Sequence, residues 1–566
     1  MKPKNLLSLA GLVAILSLTL LYFSGAPAQA QPGSAPAIKP TSQIEIPAPQ
    51  LRTWKETEVD AAKEAAGLPQ PVQVKKFRPT RGEAEYRAVK AQAAQASAQQ
   101  APQPPGVESA APLAAATLTN TVNFAGMDQT SQTIQWYPPD TEGAVGLNHF
   151  VEITNSHIDI YQKASPNTKV SGVPLSSFFG YTTQDLFDPR VLYDAASQRW
   201  IMTADAFPES ATIQYFFIAI SQTSDPTGSF FIYRVNVNDP VYGANSFWDF
   251  PQVGMDRNAV IFTANLFNGN TFVDARMFTV AKSLLYNGPS QTLTPTLFTG
   301  LQGTLAPPVV LDTNANTYLV AADDSTFARV WIYTLTNSAS NPPTLSAAAG
   351  ITVPSFYYPA NAQQPGQGAN YLIDTSDARF VNCSTQIGNS LFQVHSISVN
   401  STAPAVRAKC RFYEFDTVNK TVIQYGDFYR SSTSYDFNAS IAANQNKDVF
   451  VTWSATDPTN SAYAEVRFSG RLHTDTSGVI PSPGSLLFAS SAALTGNLAN
   501  QGTSDTTQRW GDYSAVTIDP ADATGLTAWI VNETVLNASS WGSRIGSIKL
   551  PGHRTPTGAY LLLLLN

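Results

Sequence analysis

Acidic, basic and aromatic residues recur along this chain just before short apolar runs, and they could form a binding site if the fold brings them together. The acidic or amide residues are Asp140, Asp188, Asp249, Asp377, Asn438 and Asp512. Close by in the sequence are Arg190, Arg379, Arg509, Trp136, Trp248 and Trp510. Carboxylates around one opening can hold Ca²⁺, which takes roughly six to eight oxygen ligands. Arginines can clamp a carboxylate or sugar acid bidentately, and tryptophans can stack on a sugar face.

The same pattern also fits a structural role. An Asp before a strand can accept hydrogen bonds from backbone N–H groups of the adjacent sheet, and a ring of alternating Asp and Arg would neutralise itself. The structural role is favoured for the acids as a group, and ligand binding is kept as a hypothesis. The ligand-binding candidates are Asp140, Asp188, Arg190, Trp248, Asp249, Asp377, Arg379, Arg509, Trp510 and Asp512. Within that set, Asp188, Asp249 and Asp512 are the weak candidates for Ca²⁺, and no catalytic residue is assigned.

The sequence lacks the common motifs of catalysis and cofactor binding. No HExxH or zinc spacing involves the five histidines. There is no G-x-S-x-G elbow of a hydrolase, and no phosphate loop or dinucleotide fingerprint. The chemistry therefore rests on the recurring acids, arginines and tryptophans alone.

The stretches that would position these residues form a repeat. Each has a polar start, a short apolar strand, a polar turn and a second, strongly apolar strand, as in "RWGDYSAVTIDPADATGLTAWIVNE" from Arg509. Related stretches start at Pro138, Leu186, Phe247, Thr304, Asp374 and Tyr435. A unit of three or four antiparallel strands cannot cover both its faces alone, but radial stacking covers them. The repeat predicts an all-β, seven-bladed β-propeller over residues 116–552, with six or eight blades as alternatives.

Composition agrees with a strand-rich fold and narrows the partners. Charged residues are only 13% of the 566 residues, whereas aromatic residues reach 11% and there are 39 prolines. The formal net charge is −7. An acidic chain argues against nucleic acid as a partner. The composition is compatible with a monomer.

The N-terminus predicts export. Lys2 and Lys4 precede an apolar run from Leu6 to Phe23, and Ala28-Gln29-Ala30 gives a small-x-small cleavage site. Residues 1–30 are therefore predicted to be a signal peptide of a secreted, periplasmic or cell-envelope protein. The alternative is an uncleaved membrane anchor. Residues 31–115 are interpreted as a disordered or partly helical linker rich in Pro, Ala and Gln, and residues 553–566 as a C-terminal tail.

The two cysteines, Cys383 and Cys410, give conflicting indications. Export favours a disulfide between them. The repeat places Cys383 at the turn leaving the innermost strand of its unit and Cys410 at the start of the third strand. Those strands are separated by about two strand spacings, and a disulfide needs Cα atoms within about 7 Å. A disulfide is considered, but strand geometry disfavours it.

Several of the quoted motifs resemble a known group of proteins. The stretch from Arg509, followed by "WGSRIGSIKL", and "PPDTEGAVGLNHFVEITNSHIDIYQK" resemble a signature of uncharacterised secreted bacterial β-propeller proteins. This resemblance implies the fold and export, and it lends no catalytic residues. A looser similarity links "DAASQRW" and "DTNANTY" to the Asp-box turns of sialidase-type propellers, although the pattern S-x-D-x-G-x-x-W is not met.

These observations favour a secreted binding or scaffold propeller that recognises a glycan or an extracellular protein at the mouth of its channel. The alternative is an extracellular glycan-active enzyme, a sialidase-like hydrolase or a lyase, that uses carboxylates at the same mouth as acid and base. The missing Asp boxes and the lack of a recognisable catalytic pair favour binding without turnover.

Overall fold

The computed structural model describes residues 36–40, 42–66, 72–98, 118–399, 407–496 and 506–552. The predicted signal peptide, residues 1–30, and the predicted tail, residues 553–566, lie outside the described residues. Within the described ranges, no helix is both long and apolar enough to cross a membrane.

The first elements of the chain precede the repeat. They are β1 (Ser42–Gln43), β2 (Gln50–Thr53), α1 (Trp54–Ala65), β3 (Gln73–Val74), α2 (Glu83–Ala98), β4 (Thr119–Asp128), a 3₁₀ helix (Gln129–Ser131) and β5 (Trp136–Tyr137). We call the described residues between 36 and 98 the N-terminal segment.

The described residues then form successive antiparallel units. The first unit contains β6 (Glu142–Val145), β7 (His149–Ile153), β8 (His157–Gln162), β9 (Lys169–Pro174) and α3 (Leu175–Phe179). The second unit contains β10 (Leu186–Asp194), β11 (Arg199–Ala206), β12 (Tyr215–Ser221), β13 (Ser229–Asn236) and a 3₁₀ helix (Gly243–Asn245). The third unit contains β14 (Ser246–Met255), β15 (Ala259–Asn268), β16 (Thr271–Ala281), α4 (Lys282–Leu285) and β17 (Thr296–Leu301). In these units consecutive strands pair with each other.

The later units follow the same plan. The fourth unit contains β18 (Pro308–Val310), β19 (Asn316–Ala322), β20 (Arg329–Thr336), β21 (Thr344–Leu345) and β22 (Ala349–Thr352). The fifth contains β23 (Ser384–Ile387), β24 (Ser390–Ile397), β25 (Lys409–Asp416) and β26 (Thr421–Phe428), and the sixth contains β27 (Tyr435–Ala443), β28 (Val449–Asp457), β29 (Ala462–Arg471) and β30 (Ser485–Ala489). The seventh contains β31 (Ala515–Ile518), β32 (Thr527–Asn537) and β33 (Ser540–Lys549). The unit that starts with β18 departs slightly, since β18 pairs in parallel with β14 and β23.

The first strands of the units, which we call the inner strands, contact one another in a closed circuit. In chain order they are β6, β10, β14, β18, β23, β27 and β31, and β31 returns to β6. Strand β4, which precedes the repeat, completes the last unit, because it pairs antiparallel with β33, from Asp128 opposite Gly542 to Thr119 opposite Lys549. Antiparallel sheets stacked around a common axis give an all-β, propeller-like fold.

The apolar pattern of the second strands follows from this stacking. In β11 every residue from Trp200 to Ala206 is buried, and in β15 every residue from Ala259 to Phe267 is buried. A sheet with both faces covered by neighbouring sheets needs apolar side chains on both faces, so its strands read as continuous apolar runs. The second strand of each repeat is therefore strongly apolar because its sheet is stacked between two others.

The N-terminal segment is docked on the units. Strand β2 adds a fifth strand beside β13, and β1 pairs with β17. Helix α1 begins at a capping box formed by Thr53 and Glu56, and its Trp54 is buried against Phe178. The described part of the region interpreted as a disordered or partly helical linker contains the two helices α1 and α2. Its apolar residues are too widely spaced to form a core of their own, but several of them, Trp54, Ile44 and Ile46 among them, are buried in the cores of the units.

Both cysteines are free thiols. Cys383 directly precedes the inner strand β23, which corrects its predicted position at the turn leaving that strand. Cys410 lies in β25, and β24 separates the two strands.

Candidate functional site

The starts of four inner strands bring predicted acids together, around a lysine that sequence reasoning missed. The Nζ of Lys75 contacts Asp188 Oδ1 and lies 3.4 Å from Asp140 Oδ2, 3.6 Å from Asp512 Oδ2 and 3.7 Å from Asp249 Oδ1. All five residues are buried. We call these four acids and Lys75 the acidic cluster.

Irregular backbone at the starts of the inner strands aims these acids inward. The pairing of β10 with β11 is interrupted between Phe187 and Arg190, and that of β14 with β15 between Asp249 and Gln252. Asp188 has a φ of 50° and Asp140 a φ of 49°, both in the left-handed region. Such bulges commonly re-aim a side chain. Here they direct carboxylates toward the axis of the fold.

Backbone N–H groups of neighbouring units, and one amide side chain of the first unit, donate hydrogen bonds to two of the carboxylates. Asp140 Oδ1 accepts a hydrogen bond from the Asp512 N–H at 2.7 Å, and its Oδ2 accepts one from Asn155 Nδ2 at 2.7 Å. Asp188 Oδ2 accepts a hydrogen bond from the Phe250 N–H at 3.0 Å. These acids therefore hold adjacent units together, as the structural interpretation of the recurring Asp expects.

The electrostatics of the acidic cluster are those of crowded, buried charges. Burial raises the pKa of Asp140, Asp188 and Asp249, and the positive charge of Lys75 opposes that rise. Burial alone would lower the pKa of Lys75, but the charges of the four acids outweigh it and raise that pKa well above its usual range. The ammonium group stays protonated at neutral pH and provides the central positive charge of the cluster.

Arg190 lies beside the cluster and is also fully engaged. Its guanidinium donates to Glu142 Oε2 at 2.8 Å and to the carbonyl of Pro251 at 2.8 Å, and it stacks over the ring of Tyr513 at 3.3 Å from the centroid. Burial raises the pKa of Glu142 to about 7, against the lowering effect of Arg190. A ligand would have to break these contacts to reach Arg190.

The other two predicted arginines form internal pairs. Arg379 binds Asp377 through two hydrogen bonds of 2.7 Å, so this acid lies in a separate pair and does not join the acidic cluster. Arg509 contacts Asp512 at 3.2 Å and Asp374 at 3.3 Å. Both guanidinium groups also lie over the ring of Phe77, a residue of the N-terminal segment.

The two tryptophans among the ligand-binding candidates are core residues. Trp248 is 1% exposed and packs near Phe216, and Trp510 is 2% exposed and packs on Phe437. Their faces are covered by protein, so neither offers a platform for a sugar ring.

A large cavity lies at the other side of the fold, where most of the inner strands end. This channel cavity has a volume of about 790 Å³. Its lining includes Val145, Leu192, Met255, Val309, Cys383, Thr385, Ile441 and Val516. Charged and amide side chains, among them Arg257, Asp312 and Asn446, surround these apolar walls. The sequence prediction placed a binding site only at the starts of the inner strands. The aliphatic residues at the ends of these strands are the sequence feature that could have indicated this cavity.

Comparisons with known proteins find likeness in structure only. No protein family and no curated protein matches the sequence. The haemagglutinin-neuraminidase of parainfluenza virus 5 is similar at 11% identity and a TM-score of 0.37, over 61% of this chain and 90% of that one. A Trypanosoma rangeli sialidase is similar at 11% identity and a TM-score of 0.32, over 70% and 57%.

A protein of unknown function from Dyadobacter fermentans is similar at 8% identity and a TM-score of 0.34, over 77% of this chain and 99% of that one.

Proposed function

We propose that this chain is an exported seven-bladed propeller that binds a protein ligand at the channel cavity and does not turn it over. The observation that carries the proposal is the contrast between the two sides of the fold. The carboxylates at the strand starts are buried and contact internal partners, whereas the strand ends surround an open cavity of about 790 Å³. Ligand sites in proteins typically have volumes of about 300–1,000 Å³.

The closed circuit of inner strands supports the blade count. Each of the seven inner strands, or the residues directly beside it, contributes to the lining of the channel cavity. A single toroid with one central channel accounts for that shared lining. The described strands leave no further unit between β31 and β6, which contact each other directly.

The arrangement of the acids favours binding over glycan hydrolysis. Most glycosidases use two carboxyl groups about 5–9.5 Å apart beside a pocket that admits the sugar. Here Lys75 lies between the carboxylates of the acidic cluster, and backbone N–H groups hold Asp140 and Asp188. These acids are therefore occupied with holding the units together.

The lining of the channel cavity favours a protein ligand over a glycan. Its walls are largely aliphatic, with Leu192, Met255, Val309 and Ile441 among them, and Tyr193 supplies an aromatic ring. Aliphatic walls gain free energy by burying apolar side chains, at roughly 25 cal/mol per Å². An exposed apolar segment of an extracellular protein is the ligand that this chemistry suits.

A binding screen with a narrowed cavity tests the proposal. The full chain would be screened on a display library of extracellular peptides and on a glycan array, and the strongest binders measured by calorimetry. We expect Val309→Trp, which places a large ring in the cavity, to weaken peptide binding at least about tenfold, or roughly 1.4 kcal/mol.

The matched control is Val418→Trp, since Val418 is 59% exposed in the turn between β25 and β26 and does not line the channel cavity. This variant should bind as the unchanged chain does. Equal binding by both variants would place the ligand elsewhere on the molecule. If the protein releases the chromogenic group from any glycoside in a panel, it is an enzyme, and the proposal of binding without turnover is wrong.

Export and oligomeric state can be checked on the same preparation. We propose cleavage after Ala30 and a monomeric mature protein. Mass spectrometry of protein from the extracellular or periplasmic fraction would give a mature N-terminus at Gln31, and light scattering would give the mass of one chain. A retained N-terminus in the membrane fraction would instead indicate an anchor.

A further inference from the structure

Three carboxylates of the acidic cluster are spaced for a single metal ion. One oxygen each from Asp140, Asp188 and Asp512 lies within 4.8 Å of the other two. Oxygen ligands lie about 2.3–2.6 Å from Ca²⁺, so ligands of one ion are at most about 5 Å apart. Asp249 Oδ1 is 3.7 Å from the ammonium group at the centre. One ion at the place of that ammonium could reach several of these oxygens.

A fifth carboxylate beside the cluster has no partner. Asp205 is 0% exposed, and neither of its oxygens has a hydrogen-bond partner among the described residues. Burial raises the pKa of Asp205, the charges of Asp188 and Asp249 raise it further, and those of Lys75 and Arg190 oppose the rise. A buried carboxylate without a partner is costly, and buried charges are normally paired or bound to a metal.

The charges of this region leave an excess of acid. The carboxylates are Asp140, Asp188, Asp205, Asp249 and Asp512. The cations in contact with them are Lys75, Arg78, which contacts Asp249, and Arg509, which contacts Asp512. Replacement of one ammonium by a divalent ion would add a positive charge where acids outnumber bases.

We propose that the acidic cluster is a calcium-type cation site whose ion position is taken by the Lys75 ammonium while the N-terminal segment is docked. Lys75 and the ion exclude each other. The backbone around Lys75 is held by the parallel pairing of β3 with β5 and by the Lys75 N–H, which donates to the carbonyl of Tyr137 at 2.7 Å. These contacts hold the Lys75 ammonium at the ion position.

Removal of the ammonium tests the proposal in the full chain. Lys75→Ala leaves the carboxylates without their central cation and frees the space between them. In EDTA, we expect the thermal unfolding midpoint of Lys75→Ala to lie several degrees below that of the unchanged chain. Millimolar CaCl₂ should restore at least half of this loss in the midpoint. Calorimetric titration should show one Ca²⁺ bound per Lys75→Ala chain, and none when Asp188→Asn is added.

The matched control is Lys76→Ala, the adjacent lysine, which is 47% exposed and contacts Glu83. It should respond to calcium as weakly as the unchanged chain. Equal responses of the Lys75 and Lys76 variants, or no calcium bound by Lys75→Ala, would overturn the proposal. If Lys75→Ala does not fold in EDTA, its soluble yield should recover when it is refolded in CaCl₂, and failure to fold in both conditions would overturn the proposal as well.

Discussion

The carboxylate of Asp140, in the first unit, accepts a 2.7 Å hydrogen bond from the backbone N–H of Asp512, at the start of the last unit. This contact joins the two ends of the repeat at the axis, while the pairing of β4 with β33 joins them at the rim. The recurring acid therefore contributes to closing the fold, which explains why residues of this type precede several inner strands.

Removal of this contact should destabilise the protein. In Asp140→Ala, the buried N–H of Asp512, the amide of Asn155 and the ammonium of Lys75 each lose an acceptor. Leaving a buried donor unsatisfied costs about 1–3 kcal/mol, and the relief of repulsion among the acids offsets part of the sum. We expect a loss of roughly 2–3 kcal/mol in the free energy of unfolding, measured by urea denaturation with tryptophan fluorescence.

Glu45→Ala is the control for this variant, because Glu45 is exposed on the N-terminal segment. Its free energy of unfolding should stay within about 0.5 kcal/mol of the unchanged chain. If Asp140→Ala unfolds at the same urea concentration as this control, the contact does not hold the ends of the repeat together.

The arrangement of sheets could be predicted from the sequence because the repeat is local. A strongly apolar second strand, such as β15 or β28, indicates that both faces of its sheet are covered. The recurring acids likewise marked the starts of the inner strands, and Asp140, Asp188, Asp249 and Asp512 do meet at the axis. Position in the repeat was sufficient to bring these residues together.

The partner of those acids could not be predicted in the same way. Lys75 belongs to no repeat and lies 65 residues before Asp140 in the chain, in a segment whose composition suggests a linker. Composition reports whether a segment can build its own core, and it does not report whether a segment docks on an existing one. The burial of Trp248, Arg190 and Trp510 likewise depends on packing between units, which the local pattern does not reveal.

Docking of the N-terminal segment should depend on Trp54. This side chain is 3% exposed, packs on Phe178, and donates from Nε1 to Ser171 Oγ at 3.0 Å. Truncation of a large buried aromatic side chain costs about 3–5 kcal/mol. We expect Trp54→Ala to release α1 while the units stay folded, so that limited proteolysis cuts within residues 50–66 at least tenfold faster.

Val59→Ala on the same helix is the matched variant, since Val59 is 49% exposed. Its cleavage rate should equal that of the unchanged chain. If Trp54→Ala is also cleaved faster throughout the units, and at the same rate as within α1, then α1 and the units unfold together.

Stability should fall as pH rises from about 4 to 7, in part because of Asp436. Burial raises the pKa of this carboxyl to about 7, although it accepts hydrogen bonds from the Arg430 N–H and Trp453 Nε1. A folded-state pKa above the unfolded value means that the folded state holds the proton more tightly. The contribution of Asp436 is therefore fully present below the unfolded pKa and is lost as pH rises through about 7.

Asp436→Asn should reduce this pH dependence. The amide oxygen can still accept from Arg430 and Trp453, and the variant carries no charge to bury. Since one pKa unit corresponds to about 1.4 kcal/mol, the variant should gain up to about 4 kcal/mol over the unchanged chain at pH 8, and nothing at pH 4. Urea denaturation at both pH values measures the difference. A gain that is equal at both values would assign the effect to packing rather than to titration.

The reactivity of Cys383 should report whether the channel cavity is open. Cys383 lines the cavity, whereas Cys410 is fully buried in β25. Burial raises the pKa of the Cys383 thiol to about 12, so little thiolate is present at pH 7 and labelling by a maleimide should be slow. We expect Cys383 to be labelled before Cys410 in the folded protein, both to react in urea, and Val309→Trp to slow the labelling of Cys383 further. Labelling of Cys410 first would mean that the reagent enters by unfolding of the sheet, and not through the cavity.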